Sequence, residues 1–286
     1  MEKNIKKITI RNLIIFTVVV TASGWIGRGL DILMGNPSKD SLGMLLWLII
    51  PFIISLFLRT FAGDGWSDIG IKPFFKNNII WYIIAVFIFP VVTIIDLFIG
   101  NSLGWINFSN FKLGLFLQFF SGLLIFNFFK NILEEFAWRG YLAPKVLLLN
   151  LNDFATYILV GIVWGIWHIP YYLFFLDTLE YQSVSMQSLS VFIPLSVVVM
   201  ISWSISFVEL RRLTNSVWPV VLMHMVEDAF VNPLFIYGLI EISPGKDLFI
   251  SPIYGILSII SFIAIGLGLR QLRKKRNTPI KGKIVI

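Results

Sequence analysis

Three groups of ionisable residues lie within apolar stretches of this 286-residue sequence. They are Glu134, Glu135 and Arg139; His168; and His224 with Glu227 and Asp228. A charge in the middle of a membrane costs about 2.5–3.5 kcal/mol on insertion scales, so such groups are functional candidates. The two histidines of the chain, whose side chains exchange protons most readily near neutral pH, both belong to these groups.

Helical spacing separates the roles of the two adjacent glutamates. Glu135 and Arg139 are four residues apart, which predicts an ion pair on one helix face. Glu134 points about 100° away and is not neutralised by that arginine. Lys130 either pairs with Glu134, four residues later, or extends toward a polar surface. Asn131 lies on the approach to the same carboxylate. We therefore expect Glu134 to stay available for chemistry.

The other two groups follow the same four-residue logic. Trp164 precedes His168 by one turn and is expected to wall its imidazole from lipid. His224 and Asp228 share one helix face, so they either address one substrate atom together or bond to each other. If the fourth helix continues past Arg139 to about Asn150, it forms an antiparallel hairpin with the helix that carries His168. Glu134 and His168 then lie at the same height along the two helices.

This combination of residues suits the hydrolysis of an unreactive bond. A carboxylate beside a histidine takes a proton from water, and such general-base assistance contributes about 10²–10⁴ in rate. Donors on the opposite side hold the oxyanion, at about 2.7–4 kcal/mol per donor. The chain has no cysteine, and no serine or threonine lies in a nucleophile setting. We therefore expect direct attack by water.

Composition predicts an all-α, polytopic integral membrane protein. The chain is 57% hydrophobic and 14% charged, whereas soluble domains carry about 25% charged residues. Apolar blocks long enough to span a bilayer predict about eight transmembrane helices in one domain, 1–286. A catalytic core covers 115–240 and a basic tail covers 270–286. The spans are expected near 12–34, 41–61, 78–99, 113–134, 153–176, 188–208, 217–240 and 249–269.

The distribution of Lys and Arg predicts the orientation. Eighteen of these residues fall on one side of the predicted spans, and the other side receives Lys39, Lys112 and Lys246. Positive residues mark the cytoplasmic face, so both termini are expected in the cytoplasm, with the protein in the cell membrane. The net charge of +7 is then explained by a tail that anchors near anionic lipid rather than by nucleic-acid binding.

Together the three motifs resemble the CPBP (Abi) family of intramembrane proteases, which includes the CAAX prenyl endopeptidases and bacteriocin-processing and immunity proteins. The resemblance covers roughly 115–240. It implies that Glu134 activates water with help from His168, and that His224 and Asp228 support the oxyanion. Glu135, Arg139 and Trp164 are expected to support these four residues.

Two residues depart from the usual motifs. Trp164 replaces a phenylalanine, and another aromatic wall is expected to serve the same purpose. Asp228 replaces the asparagine of the prenyl endopeptidases, and an ionised aspartate cannot donate a hydrogen bond to an oxyanion. Asp228 is therefore expected either to orient His224 or to act in its protonated form.

The family has also been described as metalloproteases. We favour a site without a metal cofactor. In the alternative, Glu134, His168, His224 and Asp228 ligate a divalent ion such as zinc, which accepts histidine and carboxylate ligands.

The expected substrate is a peptide or a membrane-associated protein tail. The resemblance implies peptide or bacteriocin maturation, immunity or CAAX-like processing. The alternatives are a proton-coupled transporter, in which the same residues form a relay, and a non-catalytic immunity or scaffold protein. The sequence does not predict the oligomeric state.

Overall fold

The protein, seen here as a computed structural model, is described over residues 2–35 and 40–277, with side chains over 6–35 and 40–276. Lys39 and the basic tail beyond residue 277 lie outside these ranges. The elements are α1 (Glu2–Leu33), α2 (Leu42–Phe61), α3 (Phe75–Ser102), β1 (Ile106–Asn107), α4 (Leu113–Ala137), a π-helical turn (Trp138–Leu142), α5 (Ala143–Leu147), α6 (Asp153–Pro170), a second π-helical turn (Tyr171–Phe175), α7 (Thr178–Val184), α8 (Leu189–Thr214), α9 (Trp218–Phe230), α10 (Asn232–Ile236), β2 (Glu241–Ile242), α11 (Asp247–Ile250) and α12 (Ile256–Asn277).

Eight helical segments of the described chain are long and apolar enough to cross a membrane. A helix satisfies its backbone hydrogen bonds internally, which is what a segment in lipid requires. The segments are Lys6–Leu33, Leu42–Phe61, Phe75–Ser102, Leu113–Leu147, Asp153–Phe175, Leu189–Thr214, Trp218–Ile236 and Ile256–Arg276. The predicted all-α polytopic bundle is thus confirmed, and the chain is a multi-pass membrane protein.

The largest differences from the predicted span boundaries are at the fourth and eighth spans. The fourth span was expected to end near residue 134, but the helical segment continues to Leu147. Hydropathy falls at Glu134 because the chain becomes charged there, although the helix does not end. The eighth span begins at Ile256 rather than near residue 249, because the short helix α11 and Pro252 precede it.

Two glycines set the contact between α6 and α8. A Cβ atom at Gly161 would lie 2.4 Å from the Cα of Ile201, and one at Gly165 would lie 2.9 Å from the Cα of Val197. Small residues spaced by four allow two membrane helices to approach at backbone distance. This contact fixes the helix that carries His168.

A short two-stranded antiparallel sheet joins two of the connections between spans. Strands β1 and β2 pair antiparallel, with Ile106 opposite Ile242 and Asn107 opposite Glu241. The amide of Ser243 also donates to the carbonyl of Trp105 at 2.8 Å. The sequence indicated turns but not this pairing, because strands of two residues are too short to show an alternating pattern.

The π-helical turn after α4 changes the hydrogen-bond pattern just before a proline. The amide of Ala143 donates to the carbonyl of Trp138, five residues back. Pro144 has no N–H, so it cannot donate to either of the carbonyls that a helix would give it. The wider turn therefore coincides with a place where the helix lacks a donor.

The two carbonyls affected by Pro144 receive side-chain donors instead. The carbonyl of Arg139 accepts from the Nε of Arg211 at 3.1 Å. The carbonyl of Gly140 accepts from the guanidinium of Arg59. Buried backbone carbonyls require such partners. Arginines from α2 and α8 thus hold the helix that carries the two glutamates.

Candidate active site

The two glutamates lie where their helix is enclosed by protein. Every residue from 134 to 146 is buried, whereas earlier positions of the same span such as Ile125, Phe126 and Phe129 are exposed. The charged end of the span is therefore surrounded by other helices and not by lipid. This enclosure explains how a membrane helix tolerates two carboxylates and an arginine.

Glu135 connects two spans. Its Oε1 accepts from the Nη1 of Arg139 at 2.8 Å, as the four-residue spacing predicts. The same oxygen lies 2.8 Å from the Nδ1 of His224 on α9. A carboxylate accepts hydrogen bonds, so Nδ1 of His224 carries the proton in this contact. Glu135 thereby fixes the orientation of the His224 ring.

The guanidinium of Arg139 is held between two aromatic rings. Its Cζ lies 4.0 Å from the ring centroid of Trp164 and 4.1 Å from that of Phe207. Both rings also contact His224 edge-on, with centroids 5.6 Å and 5.7 Å away. Cation–π contacts of this kind stabilise a desolvated cation by about 2 kcal/mol or more. Arg139, Trp164 and Phe207 thus form a rigid support for His224.

Lys130 lies between two carboxylates of the site. Its Nζ is 3.2 Å from Oε1 of Glu134 and 3.0 Å from Oδ2 of Asp228. Of the two alternatives for Lys130, pairing with Glu134 is therefore the one observed. A single ammonium group serves two acidic side chains, which draws α4 and α9 together.

Of the alternatives for Asp228, a hydrogen bond to His224 is not the one observed. Its Oδ2 accepts from the Nδ2 of Asn131 at 2.7 Å, and its Oδ1 lies 3.5 Å from the Nδ2 of Asn232. Asp228 and His224 do share a face of α9, but that face packs against α4. Each side chain reaches its own partner there, Asn131 with Lys130 for Asp228 and Glu135 for His224.

His168 is partly exposed and has a defined orientation. Its Nδ1 lies 2.8 Å from the carbonyl oxygen of Trp164, so Nδ1 is the donor nitrogen. The neutral ring then presents Nε2 as an acceptor for a proton. Trp164 lies 5.9 Å from the imidazole between ring centroids, as expected, and Tyr172 stacks on it at 5.8 Å.

The hairpin of α4 and α6 brings Glu134 and His168 to a similar level. Arg139 packs on Trp164, and the ring of Trp138 lies 5.2 Å from that of Trp167. These pairs fix an antiparallel register in which Glu134 lies near the level of His168. The carboxylate of Glu134 is close enough to interact electrostatically with the imidazoles of both His168 and His224.

Three features of the site could not be predicted from the sequence. The contact between Glu135 and His224 joins residues 89 positions apart, and no local spacing predicts it. Lys130 contacts both Glu134 and Asp228. The four-residue spacing predicted the contact with Glu134 but not the contact with Asp228. Nothing in the sequence distinguishes Phe207 from the other phenylalanines, of which the chain has 27 in all.

A divalent metal has a partial ligand set. Within the described chain, His224, Glu227 and Asp228 bring ligand atoms to within 4.8 Å of one another. Glu134 and His168 do not join this group. The ammonium of Lys130 lies between the carboxylates of Glu134 and Asp228, where a bridging ion would be placed, and two cations there would repel each other. The residues present therefore do not fit an ion that bridges these two carboxylates.

Comparison with known proteins connects this geometry with a family. The family model described as type II CAAX prenyl endopeptidase Rce1-like matches residues 116–230, which include all three motifs. The match supports the CPBP/CAAX protease family and implies a protease. No curated protein matches the chain.

Proposed function

We propose that this chain, a multi-pass membrane protein whose residues 116–230 match the Rce1-like family of type II CAAX prenyl endopeptidases, hydrolyses a peptide bond with water activated by Glu134 and His168. The observation that carries the proposal is the environment of Glu134. Its carboxylate is buried, is not paired with Arg139, and lies within electrostatic range of both histidines.

In this proposal Glu134 or His168 carries the proton from the attacking water to the departing amine. The carboxylate of Glu134, or Nε2 of His168, removes a proton from water while the water oxygen attacks the carbonyl carbon. The tetrahedral intermediate then breaks at the C–N bond, and the same proton passes to the departing amine. General-base assistance of this kind contributes about 10²–10⁴ in rate.

The oxyanion is assigned to the side of the site formed by α9. In this proposal His224 acts as an imidazolium, in which Nδ1–H donates to Glu135 and Nε2–H donates to the oxyanion. Such a donor contributes about 2.7–4 kcal/mol. Asp228 is assigned a positioning role, because it holds the ammonium of Lys130 and the amide of Asn131 beside the reacting groups.

The proposed site is metal-free. Lys130 supplies the positive charge that balances Glu134 and Asp228, which a divalent ion would otherwise supply. Cleavage by purified protein is expected to persist in EDTA and in 1,10-phenanthroline. Loss of cleavage in chelator, with recovery on adding zinc, would replace this proposal with the metallopeptidase alternative.

The proposed substrate is a peptide or a membrane-associated protein tail. The proposed location is the cell membrane with both termini in the cytoplasm, which the distribution of Lys and Arg favours. Peptide maturation, immunity and CAAX-like processing are the roles that this activity would serve.

The test is comparative peptidomics of cells that express the wild type or Glu134→Gln at equal membrane levels. Specific peptides are expected to appear with the wild type and to disappear with the variant. Glu241→Gln is the matched control, because Glu241 is exposed on β2 and outside the site. An identical peptide inventory for the wild type and Glu134→Gln would contradict the protease proposal.

A further inference from the structure

A cavity of about 840 Å³ lies outside the candidate active site, at the end of the bundle where α5 and α8 finish. The segment 66–74 between α2 and α3 forms its other wall. Four cationic side chains and one acidic side chain line it: Lys72, Arg211, Arg212, Arg273 and Asp68. We call this space the basic cavity.

Hydrogen-bond donors remain available in the basic cavity. Arg211 is fixed by bonds from Nε to the carbonyl of Arg139 and from Nη2 to the carbonyl of Asp68, at 3.1 Å and 2.7 Å. Its Nη1 makes no hydrogen bond with the described part of the chain. Lys72 is exposed and likewise forms no ion pair within the described residues. A preformed guanidinium and a mobile ammonium thus face the same space.

The carboxylate in the basic cavity does not cancel these charges. Asp68 is already paired with Arg59 at 2.6 Å and with Lys145 at 2.9 Å. Burial alone would raise the pKa of Asp68, but the hydrogen bond from Lys145 and the charge of Arg59 outweigh it and hold the pKa below its usual value. Arg212 and Arg273 are paired with Asp153 and Glu209. The positive charge left for a ligand is therefore that of Arg211 and Lys72.

The rim of the basic cavity is apolar and exposed. Trp66, Ile71, Phe74 and Leu148 are each 44–56% exposed beside the cationic groups. A free phosphate ion has no apolar part that could contact this rim. A phospholipid, whose phosphate adjoins acyl chains, would contact both the donors and the apolar side chains.

We propose that the basic cavity binds the phosphate of an anionic phospholipid of the adjoining leaflet. Guanidinium groups match phosphate oxygens in geometry, and basic pockets between membrane helices accept anionic head groups. The proposal does not depend on the protease activity, since the readout below is lipid binding.

The test measures lipid retention by the full-length protein in mild detergent with native mass spectrometry. The probes are dioleoyl phosphatidylglycerol and dioleoyl phosphatidylcholine at equal concentration. The wild type is expected to retain phosphatidylglycerol preferentially. Lys72→Gln should weaken retention about fivefold, and Lys72→Glu about 25-fold, at about fivefold per charge.

Lys76 supplies the matched control, because it is exposed at the start of α3 and does not line the cavity. Lys76→Gln and Lys76→Glu should retain phosphatidylglycerol as the wild type does. Equal retention of the two lipids by the wild type, or equal losses for the Lys72 and Lys76 variants, would overturn the proposal.

Inorganic phosphate distinguishes the two sources of the ligand. Competition by millimolar phosphate that requires Lys72, together with preference for phosphatidylglycerol, supports the lipid assignment. Thermal stabilisation by phosphate that requires Lys72, without any preference between the two lipids, would overturn the lipid assignment in favour of a free phosphate.

Discussion

Two buried ion clusters in the bundle differ in how completely their carboxylates are paired. The terminal cluster consists of Asp153, Glu209, Arg212, Arg270 and Arg273. All four of its carboxylate oxygens accept a hydrogen bond from a guanidinium group. The site cluster consists of Lys130, Glu134 and Asp228, and one ammonium serves its two carboxylates.

The difference separates structural charges from chemical ones. In the terminal cluster three cations surround two acids, which ties the start of α6 to the ends of α8 and α12. In the site cluster, Oε2 of Glu134 is buried and has no hydrogen-bond donor among the described residues. A saturated cluster has no capacity left for a substrate, whereas a carboxylate with a free oxygen can accept a proton from water.

The largest expected effect is on catalysis at Glu134. Glu134→Gln keeps the shape of the side chain but removes the base, so cleavage of a peptide identified by peptidomics should fall by at least about 10²–10⁴. The measurement is kcat/KM of purified protein. Glu209→Gln, compared per folded molecule, should cleave as the wild type does. Equal activity losses for the two variants would contradict the assignment of a structural role to the terminal cluster and a chemical role to the site cluster.

For the free energy of unfolding, the larger effect is expected from Glu209→Gln and the smaller one from Glu134→Gln. Glu209→Gln removes the buried carboxylate charge that Arg212 and Arg273 share, so the free energy of unfolding should fall by about 3–5 kcal/mol. Unfolding in mixed detergent micelles measures it. Glu134→Gln should shift the same transition far less. A larger destabilisation by Glu134→Gln than by Glu209→Gln would show that the site cluster carries the structural load.

A double-mutant cycle on Lys130 and Asp228 sharpens the comparison within the site. Lys130→Met leaves Asp228 without its cation, Asp228→Asn leaves Lys130 paired with Glu134 alone, and the double variant removes both members of the pair. The coupling in log kcat/KM is expected to correspond to about 0.5–3 kcal/mol. Lys130→Arg should recover part of the activity, since it keeps the charge. Additive effects of the two substitutions would show that the ion pair has no role in turnover.

The smallest expected effect concerns Asp68, whose pKa is lowered in the folded protein. A lowered pKa means that the carboxylate stabilises the fold above the pKa of the unfolded chain, about 3.9, and loses this contribution as the pH falls through the folded value. The difference in thermal midpoint between the wild type and Asp68→Asn should therefore be present at pH 6 and shrink below about pH 4. A difference that grows on acidification would contradict this assignment.

Contacts within one helix were predictable from the sequence, and contacts between helices were not. The four-residue spacings of Glu135 with Arg139 and of Lys130 with Glu134 determined which side chains meet, because α-helical geometry alone sets them. The partners of Asp228 depend on how α9 packs against α4. The spacing to His224 therefore indicated a shared face, but it could not show which partners Asp228 contacts.

Hydropathy located the eight spans but could not show what surrounds each one. The predicted end of the fourth span fell at Glu134, because a window average cannot separate a helix enclosed by protein from one that leaves the membrane. The local sequence signal for the π-helical turn is Pro144. A proline predicts that the helix is disturbed, but it does not predict the residue at which the turn widens.

The π-helical turn has a geometric consequence for the whole fourth span. One additional residue per turn offsets the side chains before it from those after it by about 100°. Before it, Glu135 meets His224; toward its end and beyond it, Tyr141 and Lys145 both reach Asp64 in the loop after α2. No uninterrupted α-helix can keep both sets of partners, so deleting a single residue between Trp138 and Leu142 would force the chain to abandon either its glutamate contacts or its anchor to that loop.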